Sequence, residues 1–450
     1  MIFLQLAVLL ICIFIGARMS GIGLGVMGMI GLLILMFVFG LKPSDPPLEV
    51  MLIILSVVTA AAALQAAGGM DYLVSIAAKI LRSNPGRITF LGPLVTYLFV
   101  LFAGTAHISY SIMPIVAEVA TKARIRPERA MSMSVTASHM AITASPVSAA
   151  TAALLTVLGG SGIQLADILM ICIPSTLIGV IAGILFVLKK GKELDKDPEF
   201  LEKMKDPAFA KSMSIEKEDS IAPLIPGAKI SVLIFGLAVL AVVALGSFPA
   251  LLPHFPVGEG FIPSFAVNAA GIVQMPSMIM MIMLAAAGFI ILFAKTTSAQ
   301  VVKASLFSSA GSATIAVFGV VWMSATFMDN NYELIKETLG ELVTSYPWSF
   351  AIALFVMSIL LFSQAATTKA LMPLGLALGL SPAYLLGIFP AVNGHFFIPG
   401  YPTLLTAIQF DRTGTTKIGK YVLNHSFMLP GLVTTFVAVL AGLLIQSILL

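Results

Sequence analysis

The chain has 450 residues, of which 59% are hydrophobic and only 10% are charged, and its mean hydropathy is +1.04. A water-soluble globule cannot bury so large an apolar fraction, so the composition excludes soluble fold classes and predicts a protein embedded in lipid. The net charge of +4 comes from lysines and arginines in the loops, where they report membrane orientation and give no support for nucleic-acid binding.

Apolar stretches of about 15 to 22 residues recur along the chain, close to the length that a helix needs to cross hydrocarbon. The first stretch lacks the basic start and cleavage site of a signal peptide, so we interpret it as a retained helix. The predicted segments of the first half are 2–16, 21–39, 49–66, 71–83, 88–121, 131–158 and 167–188. Those of the second half are 228–248, 276–294, 305–327, 331–345, 347–380, 384–410 and 421–450.

The two halves correspond to each other at an offset of about 256 to 262 residues. Met113-Pro114 corresponds to Met372-Pro373, and SHMAITASP at 138–146 corresponds to GHFFIPGYP at 394–402. Each half reads as three spans, an amphipathic stretch, a helical hairpin with a polar tip, an interrupted span and a closing span. Because five spans per half is an odd number, the second half must enter the membrane upside down, a plan that recurs in secondary transporters.

The predicted fold is an all-α polytopic membrane protein with two inverted-topology repeats of about five transmembrane helices each. The first repeat is 1–188, with a re-entrant hairpin at 88–121 and a broken helix at 131–158. The second repeat is 228–450, with a hairpin at 347–380 and a broken helix at 384–410. Residues 189–227 have balanced charge and several prolines, so we predict a solvated cytoplasmic linker. Lysines and arginines cluster on the linker side and are sparse on the other, which places both termini in the periplasm.

Four polar breaks interrupt the apolar helices: 103–109 (AGTAHIS), 143–148 (TASPVS), 363–369 (SQAATTK) and 393–403 (NGHFFIPGYPT). Unpaired backbone groups are tolerated in hydrocarbon only where they line a cavity or are buried in protein. Paired by the repeat, the breaks should meet near the bilayer midplane, where helix N-termini attract carboxylates. Their neutral polar side chains suit a small anion that must also leave, because an arginine clamp would hold a dicarboxylate more tightly.

Several single residues at these breaks allow two interpretations. His139 and His395 are equivalent in the repeat and His107 lies at a tip, so each could bind substrate, carry a proton or form a neutral interhelical hydrogen bond. Lys369 could pair with substrate or extend to the interface. A serine or threonine in a membrane helix often bonds only to the neighbouring backbone.

Three further features are interpreted structurally. Glu118 lies beside a basic cluster, which predicts an ion pair. Cys12 and Cys172 lie inside apolar segments, so neither a disulfide nor a cysteine metal site is predicted. Small residues along one helix face predict close helix packing at Gly21, Gly25, Gly28 and Gly31.

The chain resembles the anaerobic C4-dicarboxylate transporter family (Dcu, DcuA/DcuB type) over essentially its whole length. The resembling segments include FAGTAHISYSIMPI, ITASPVSA, ELDKDPEF, SQAATTKALMPLGLALG and IPGYPTLLTAIQFDRTGTTKIGKYVLNHSFMLPG. AGTAHISYSIMPI and ELDKDPEF look nearer to DcuB, whereas AGGMDYLV looks nearer to DcuA, so the subtype stays open. The resemblance implies exchange of fumarate, malate or aspartate for succinate across the inner membrane of an anaerobically growing bacterium. It also implies a co-sensor role with a membrane sensor kinase for DcuB-type members.

Candidate substrate-binding residues follow from the positions of the breaks more than from the family. They are Thr105, His107, Ser109, Thr143, Ser145, Ser148, Ser363, Gln364, Thr367, Thr368, Asn393, His395, Tyr401 and Thr403. Lys369 and His139 are candidates for a charge or proton role. No catalytic residue, metal ligand or organic cofactor is predicted, and the coupling ion, if one is used, would be Na⁺ or H⁺.

The alternatives to dicarboxylate exchange are a membrane enzyme, a channel and another kind of transporter. The sequence has no HExxH, no aspartate-rich diphosphate motif and no acid pair inside the spans, which argues against a membrane enzyme. A channel would also use broken helices, and a cation-coupled importer of another small carboxylate or an amino acid is the alternative among transporters. For the mechanism we favour an elevator-like movement of the hairpins and interrupted spans against a scaffold of the remaining helices, and a homodimer built through that scaffold.

Overall fold

The computed structural model describes residues 1–19, 22–214, 225–258, 261–361, 363–421 and 423–450. The first-half helices are α1 (Ile2–Met19), α2 (Gly23–Phe37), α3 (Leu48–Ala66), α4 (Gly69–Ser83), α5 (Ile88–Ala103), α6 (Ile108–Lys122), α7 (Pro127–Ala144), α8 (Ala149–Leu158) and α9 (Leu165–Val187). Two short helices follow in the linker, α10 (Pro198–Lys203) and α11 (Pro207–Ser214).

The second-half helices are α12 (Ala228–Ser247), α13 (Met275–Phe293), α14 (Ser298–Lys303), α15 (Ser305–Asn330), α16 (Tyr332–Ser345), α17 (Trp348–Leu361), α18 (Gln364–Ala377), α19 (Pro382–Gly387), α20 (Pro402–Phe410) and α21 (Met428–Leu449). In the described part of the chain, seven helices are long and apolar enough to cross a membrane. The prediction of an all-helical membrane protein is confirmed. Positions 21, 362 and 422 and residues 215–224, which the predicted segments include, lie outside the described residues.

The membrane helices pack as two groups. The frame group consists of α1, α2, α3, α12, α13 and α15, which pack on one another. The hairpin group consists of α5 to α9 and α17 to α21, and it contains both helical hairpins and both interrupted helices. The closing spans α9 and α21, which the expected movement assigns to the scaffold, pack along each other within the hairpin group.

The frame group is held by a close approach of α2 and α15. A Cβ atom at Gly25 would lie 2.0 Å from the carbonyl oxygen of Ile315, and one at Gly319 would lie 1.8 Å from the carbonyl oxygen of Gly25. Only glycine lets two helix backbones come this near, as small-residue stripes do in membrane proteins. The predicted packing role of Gly25 and Gly28 is confirmed, whereas Gly21 lies outside the described residues.

The four polar breaks end one helix and begin another. The α5–α6 turn opens with Gly104, whose φ of +70° suits a residue without a side chain. The α7–α8 break is a tight turn at Ser145–Ser148, and the Ser148 hydroxyl accepts a hydrogen bond from the Thr151 N–H to cap α8. Ser363 caps α18 in the same way through the Ala366 N–H.

The second interrupted span is less helical than predicted. Instead of a helix from position 384, the chain forms the short α19, two 3₁₀ turns at Phe389–Val392 and Gly394–Phe396, and then α20. Pro382, Pro390 and Pro402 explain the difference, because proline lacks the N–H group that continues a helix. The last span also begins later than the predicted position 421, at Met428, since Lys417 and Ser426 bond to each other across a turn.

Residues 190–203 of the linker, which we call the strap, are docked on the hairpin group through a few buried side chains, although most of the strap is exposed to solvent as a connector would be. Leu194 and Phe200 are buried, and the Leu194 N–H donates to the Arg124 carbonyl oxygen at 3.2 Å. Arg129 at the start of α7 donates to the Lys190 carbonyl oxygen at 2.7 Å and pairs with Glu193 at 2.6 Å. These contacts join the beginning of α7 to the end of α9.

Charged pairs complete the docking of the strap. Arg126 forms ion pairs with Asp197 and, at 2.7 Å, with Glu128. Lys417 pairs with Glu199 at 2.7 Å, which ties the strap to the loop between α20 and α21. Burial opposes ionisation of Asp197, but the Phe200 N–H, the Arg126 charge and the Glu199 N–H together hold the pKa of its carboxyl below the usual value.

Candidate functional site

A cavity of about 360 Å³ lies between the two helix groups, at the level of the four polar breaks. The frame group contributes α3 and α15 to its lining, and the hairpin group contributes both hairpin tips and the residues at the starts of α8 and α20. The breaks, far apart in sequence, therefore meet at one place.

The starts of four helices of the hairpin group line this cavity. His107 and Tyr110 mark the start of α6, Ala149 and Ala150 that of α8, Gln364 and Ala365 that of α18, and Pro402 and Thr403 that of α20. In the described part of the chain, the main-chain N–H groups of Ala149 and Ala150 have no acceptor. A helix start carries a partial positive charge and free N–H groups, so the cavity can bind an anion without a charged side chain.

The wall formed by the hairpin group carries the polar side chains. Those that line the cavity are Thr105, His107, Tyr110, Ser363, Gln364, Tyr401 and Thr403. The lining, as far as the structure describes it, contains no Asp, Glu, Lys or Arg. The site can therefore offer hydrogen bonds and helix dipoles but no permanent counter-charge.

The opposite wall is apolar throughout its described part. Its residues come from α3 and α15 and are Ile54, Val57, Val58, Ala61, Leu306 and Val317. A polar ligand thus has hydrogen-bond partners only on the hairpin group. Small-molecule sites often have this composition, a largely apolar surface with a few polar groups that fix orientation.

Six of the candidate residues from the sequence line the cavity: Thr105, His107, Ser363, Gln364, Tyr401 and Thr403. His107 Nδ1 is hydrogen-bonded to Thr105 Oγ1 at 2.8 Å, which fixes the ring at the first tip. Thr403 Oγ1 is hydrogen-bonded to His139 Nε2 at 2.9 Å. That these residues contact substrate stays a prediction.

The other candidates lie behind the lining and bond within the protein. Ser109, Thr143, Thr367 and Thr368 each donate their hydroxyl hydrogen to a backbone carbonyl of their own helix or turn. Within the 143–148 break, Ser145 accepts a hydrogen bond from the Val147 N–H. Ser148 accepts one from the Thr151 N–H in the first turn of α8. These six are fully buried, in keeping with the structural interpretation of a membrane hydroxyl.

A buried amide chain links three of the breaks. Gln364 Nε2 donates to Asn393 Oδ1 at 3.1 Å, and Asn393 Nδ2 donates to Thr143 Oγ1 at 3.3 Å. Gln364 Nε2 also approaches the His139 carbonyl oxygen at 3.4 Å. Asn393 therefore positions Gln364 at the cavity wall without lining the cavity itself.

His139 and His395, which the repeat predicts to be equivalent, lie against each other behind this wall. Their ring centroids are 5.4 Å apart, and Tyr401 packs edge-on to both rings, at 4.9 Å from His139 and 5.1 Å from His395. Lys369 lies on α18 beyond the cavity lining, and Glu49 of α3 is the acid whose charge acts on it.

Comparison with known proteins identifies the family. The family model for the anaerobic C4-dicarboxylate membrane transporter, DcuA_DcuB, matches residues 1–450. The chain is 42% identical to C4-dicarboxylate transporter DcuA of Wolinella succinogenes, with 100% of both chains covered. It is 42% identical to anaerobic C4-dicarboxylate transporter DcuB of Escherichia coli O157:H7, with 98% of this chain and 97% of that protein covered. It is 39% identical to DcuA of Escherichia coli K12 over 100% of both.

The chain belongs to the DcuA/DcuB family. Its members are membrane transporters, so the prediction that the chain is not an enzyme is confirmed. Relatives of both types match at similar identity, which leaves the subtype as open as the sequence left it. Among solved structures, the YdaH transporter of Alcanivorax borkumensis matches with a TM-score of 0.52 at 13% identity, over 96% of this chain and 98% of that one. That likeness concerns the fold alone.

In this DcuA/DcuB family member, the sequence signals missed two parts of the cavity. Tyr110 lies one turn beyond the first tip, and an aromatic residue inside an apolar helix gave no reason to single it out. The α3 and α15 wall was missed because its residues are apolar like those of any membrane helix. Glu118 was interpreted as an ion pair, and its contacts with Arg82 at 3.1 Å and Lys122 at 3.0 Å confirm that.

Proposed function

We propose that this chain exchanges C4-dicarboxylates across the bacterial inner membrane, taking fumarate, malate or aspartate inwards and succinate outwards. The observation that best supports this proposal is the cavity itself. Four helix starts of the hairpin group meet there, and the described lining contains no charged side chain. Each helix start is equivalent to about half a positive elementary charge, so the four together supply about two. A C4-dicarboxylate with both carboxyl groups ionised carries the same magnitude of negative charge.

The neutral lining also supports turnover. Thr105, Ser363, Gln364 and Thr403 can donate hydrogen bonds to carboxylate oxygens. A buried arginine pair would bind the same dianion more tightly and slow its release. At about 360 Å³ the cavity lies at the small end of ligand pockets, which span about 300–1,000 Å³, and this favours a small acid over a bulky one.

An elevator-like movement accounts for the contrast between the two walls. Among the described residues of the lining, every polar side chain belongs to the hairpin group, and those from α3 and α15 are all apolar. A substrate bound to the hairpin group can pass the apolar wall without breaking hydrogen bonds to it. The moving unit would include α9 and α21, since both pack inside the hairpin group. The amphipathic helices α4 and α16 connect the two groups along the chain.

The inverted repeats, the re-entrant hairpins and the periplasmic position of both termini belong to the same proposal. The meeting of His139 with His395 supports the repeat, because residues related by the predicted correspondence lie together across a pseudo-symmetric site. A homodimer formed through the frame group and a partnership with a membrane sensor kinase stay predictions from the sequence and the resemblance.

Transport itself is tested with purified protein in liposomes preloaded with succinate, following uptake of labelled fumarate. We expect uptake to require internal succinate and to be abolished by excess unlabelled malate or aspartate outside. Uptake into empty vesicles that a Na⁺ or H⁺ gradient drives would instead favour the coupled importer. Absence of fumarate uptake under all these conditions would refute the dicarboxylate assignment.

The movement is tested with two matched cysteine pairs in a variant that lacks Cys12 and Cys172. Gly246→Cys with Leu165→Cys joins α12 of the frame group to α9 of the hairpin group, and the control Gly179→Cys with Ala438→Cys joins α9 to α21. In both pairs a Cβ atom on the glycine would lie 2.8 Å from the partner Cβ, closer than the about 3.5–4.5 Å of a disulfide, so each crosslink requires a similar small separation of its two helices. We expect oxidation to stop exchange in the first pair only, and reduction to restore it. Exchange that survives the first crosslink would rule the movement out.

A further inference from the structure

A cluster of three polar aromatic residues lies at the cavity wall: Tyr401, just before α20, lines the cavity, and His139 of α7 and His395 of the 393–403 break lie behind it. Both histidine rings are buried, at 2% and 0% exposed, and each packs edge-on to the other and to Tyr401. We call the two histidines the histidine pair.

Three ring nitrogens of the histidine pair have no hydrogen-bond partner among the described residues. They are Nδ1 of His139 and both Nδ1 and Nε2 of His395. An unpaired buried nitrogen is costly, and in native proteins such a group calls for a functional explanation, a water molecule or an ion. A ring nitrogen with a free lone pair can bind a proton. Hard cations such as Na⁺ are held by oxygen ligands, which the unpaired nitrogens do not supply.

The histidine pair is connected to the cavity by direct contacts. Nε2 of His139 is hydrogen-bonded at 2.9 Å to Thr403 Oγ1, and Thr403 lines the cavity. Tyr401 touches both histidine rings and also lines the cavity, so one layer of side chains separates the pair from a bound anion. An anion this close in a poorly polarisable interior stabilises a positive imidazolium.

Other ionisable groups on the packed elements have their own partners or lie away from the pair. Tyr401, and beyond it Tyr110 and His107 of the cavity lining, are the titratable groups on the cavity side. The charged residues of the helices that pack around the cluster interact with other groups. Glu118 pairs with Arg82 and Lys122, Glu128 pairs with Arg126 and Lys190, and Arg129 pairs with Glu193. Asp167 caps the start of α9, and the acid whose charge acts on Lys369 is Glu49. None of these charges therefore competes with a bound anion for the histidine pair.

We propose that the histidine pair takes up one proton from solution when a dicarboxylate dianion binds in the cavity, and releases it when the dianion leaves. One N–H bond forms on an imidazole nitrogen and no other bond changes, so the bound complex carries one negative charge less than the dianion alone. The inference rests on the proposed function, since it requires a dianion in the cavity. It adds which residues of the protein bind the proton.

The test measures protons taken up per fumarate bound by the purified full-length protein. Calorimetry in two buffers of different ionisation enthalpy gives this number directly, and fumarate is chosen because both its carboxyl groups are ionised near neutral pH. We expect about one proton per fumarate in the pH range where the free pair is unprotonated, and an affinity that falls by up to about tenfold per pH unit there. Binding of fumarate without proton uptake anywhere between about pH 6 and about pH 8 would overturn the proposal.

Two complementary variants locate the proton among the five histidines of the chain. His139→Gln with His395→Gln should bind fumarate without proton uptake and with an affinity that no longer depends on pH. His107→Gln, His254→Gln and His425→Gln combined leave only the pair, and this variant should keep the full proton count whatever its affinity. Loss of uptake in the second variant, or its retention in the first, would overturn the assignment. The second variant leaves the cluster intact, so it decides the matter even where the first does not fold.

The controls separate this inference from the proposed function. His254→Gln alone changes an exposed residue in the loop after α12 and should match the unmodified protein in affinity and proton count. If the unmodified protein binds no C4-dicarboxylate, the proposed function fails. If it binds one with no proton uptake, the proposed function stands and only the role of the histidine pair fails.

Discussion

The two walls of the cavity differ in both chemistry and construction. The hairpin wall is made of helix starts, short turns and neutral polar side chains, held by buried hydrogen bonds such as that between Gln364 and Asn393. The frame wall is made of side chains from two regular helices, α3 and α15, and is apolar in its described part. In the proposed movement, this difference divides recognition from passage: the hairpin wall has groups that can hydrogen-bond to a carboxylate, and the described part of the frame wall has none.

The largest effect is expected where the hairpin wall depends on backbone geometry. Gly104 has a positive φ, and a Cβ atom there would lie 2.9 Å from the carbonyl oxygen of Val147 in the 143–148 break. Gly104→Val should force the tip away from the break at a cost of about 3 kcal/mol, or about 150-fold in fumarate affinity. The measurement is fumarate binding by the purified variant.

Gly86→Val serves as the control for Gly104→Val. Gly86 has no atom within 4 Å of its Cβ position and no positive φ, so its affinity should stay within about threefold of the unmodified protein. Equal effects of the two substitutions would show that the tip geometry is not what shapes the hairpin wall.

The next effect tests the amide chain behind the hairpin wall. Gln364→Leu removes the donor to Asn393 Oδ1 and leaves that buried oxygen unpaired, which costs about 1–3 kcal/mol. We expect affinity for fumarate to fall by about 5- to 150-fold. Gln446→Leu, on the half-buried end of α21, is the control and should have little effect. Unchanged affinity in Gln364→Leu would place the substrate away from the second tip.

Two substitutions between threonine and valine, which have nearly the same shape, compare the two walls directly. Thr403→Val removes the hydroxyl bonded to His139 from the hairpin wall, and Val57→Thr adds one to the frame wall. We expect the first to weaken fumarate binding by about 5- to 30-fold, since one buried hydrogen bond is lost. The second should change it by less than about threefold, because a helical threonine bonds to the carbonyl four residues earlier. A larger effect at Val57 would mean that substrate contacts the frame wall.

The smallest effect on binding is expected at the strap, which stabilises the hairpin group from the cytoplasmic side in the predicted orientation. Asp197→Asn weakens the pair with Arg126 and should leave fumarate affinity within about twofold, while limited proteolysis cuts the linker faster. Because the folded-state pKa of Asp197 is lowered, its contribution is complete above the usual aspartate pKa and is lost only as pH falls through the lower value. Protease resistance should therefore be flat from about pH 8 to about pH 5. A loss of resistance near neutral pH would contradict this role.

Much of the site could be predicted because its parts are local signals. Pro146, Gly104, Ser148 and Ser363 interrupt helices or cap new ones wherever the rest of the chain lies, so the four breaks were recognisable from the residues alone. The correspondence of His139 with His395 was also a sequence signal. Which hydroxyls face a ligand was not, because Thr403 and Thr367 have the same side chain and differ only in what packs around them.

The prediction failed where long-range contacts decide the outcome. The strap looked like a solvated linker because its charges balance, yet several of its acidic residues are paired with Arg126, Arg129 and Lys417 from two other segments, the start of α7 and the loop after α20. The second interrupted span lost its expected helix because three prolines and buried contacts favour 3₁₀ turns. Tyr110 carried no signal of its own, and only the folded hairpin brings it to the cavity.

The sequence by itself determined that the chain lies in a membrane, where its helices break and which family it belongs to, since composition, turn chemistry and long motifs are properties of the chain. The tertiary structure decided that four helix starts meet at one cavity, that α9 and α21 join the hairpin group and that an apolar wall of α3 and α15 closes the other side. The reason is physical: periodicity and propensity act over a few residues, whereas the field at a binding site depends on which helix ends are brought within a few ångströms of each other.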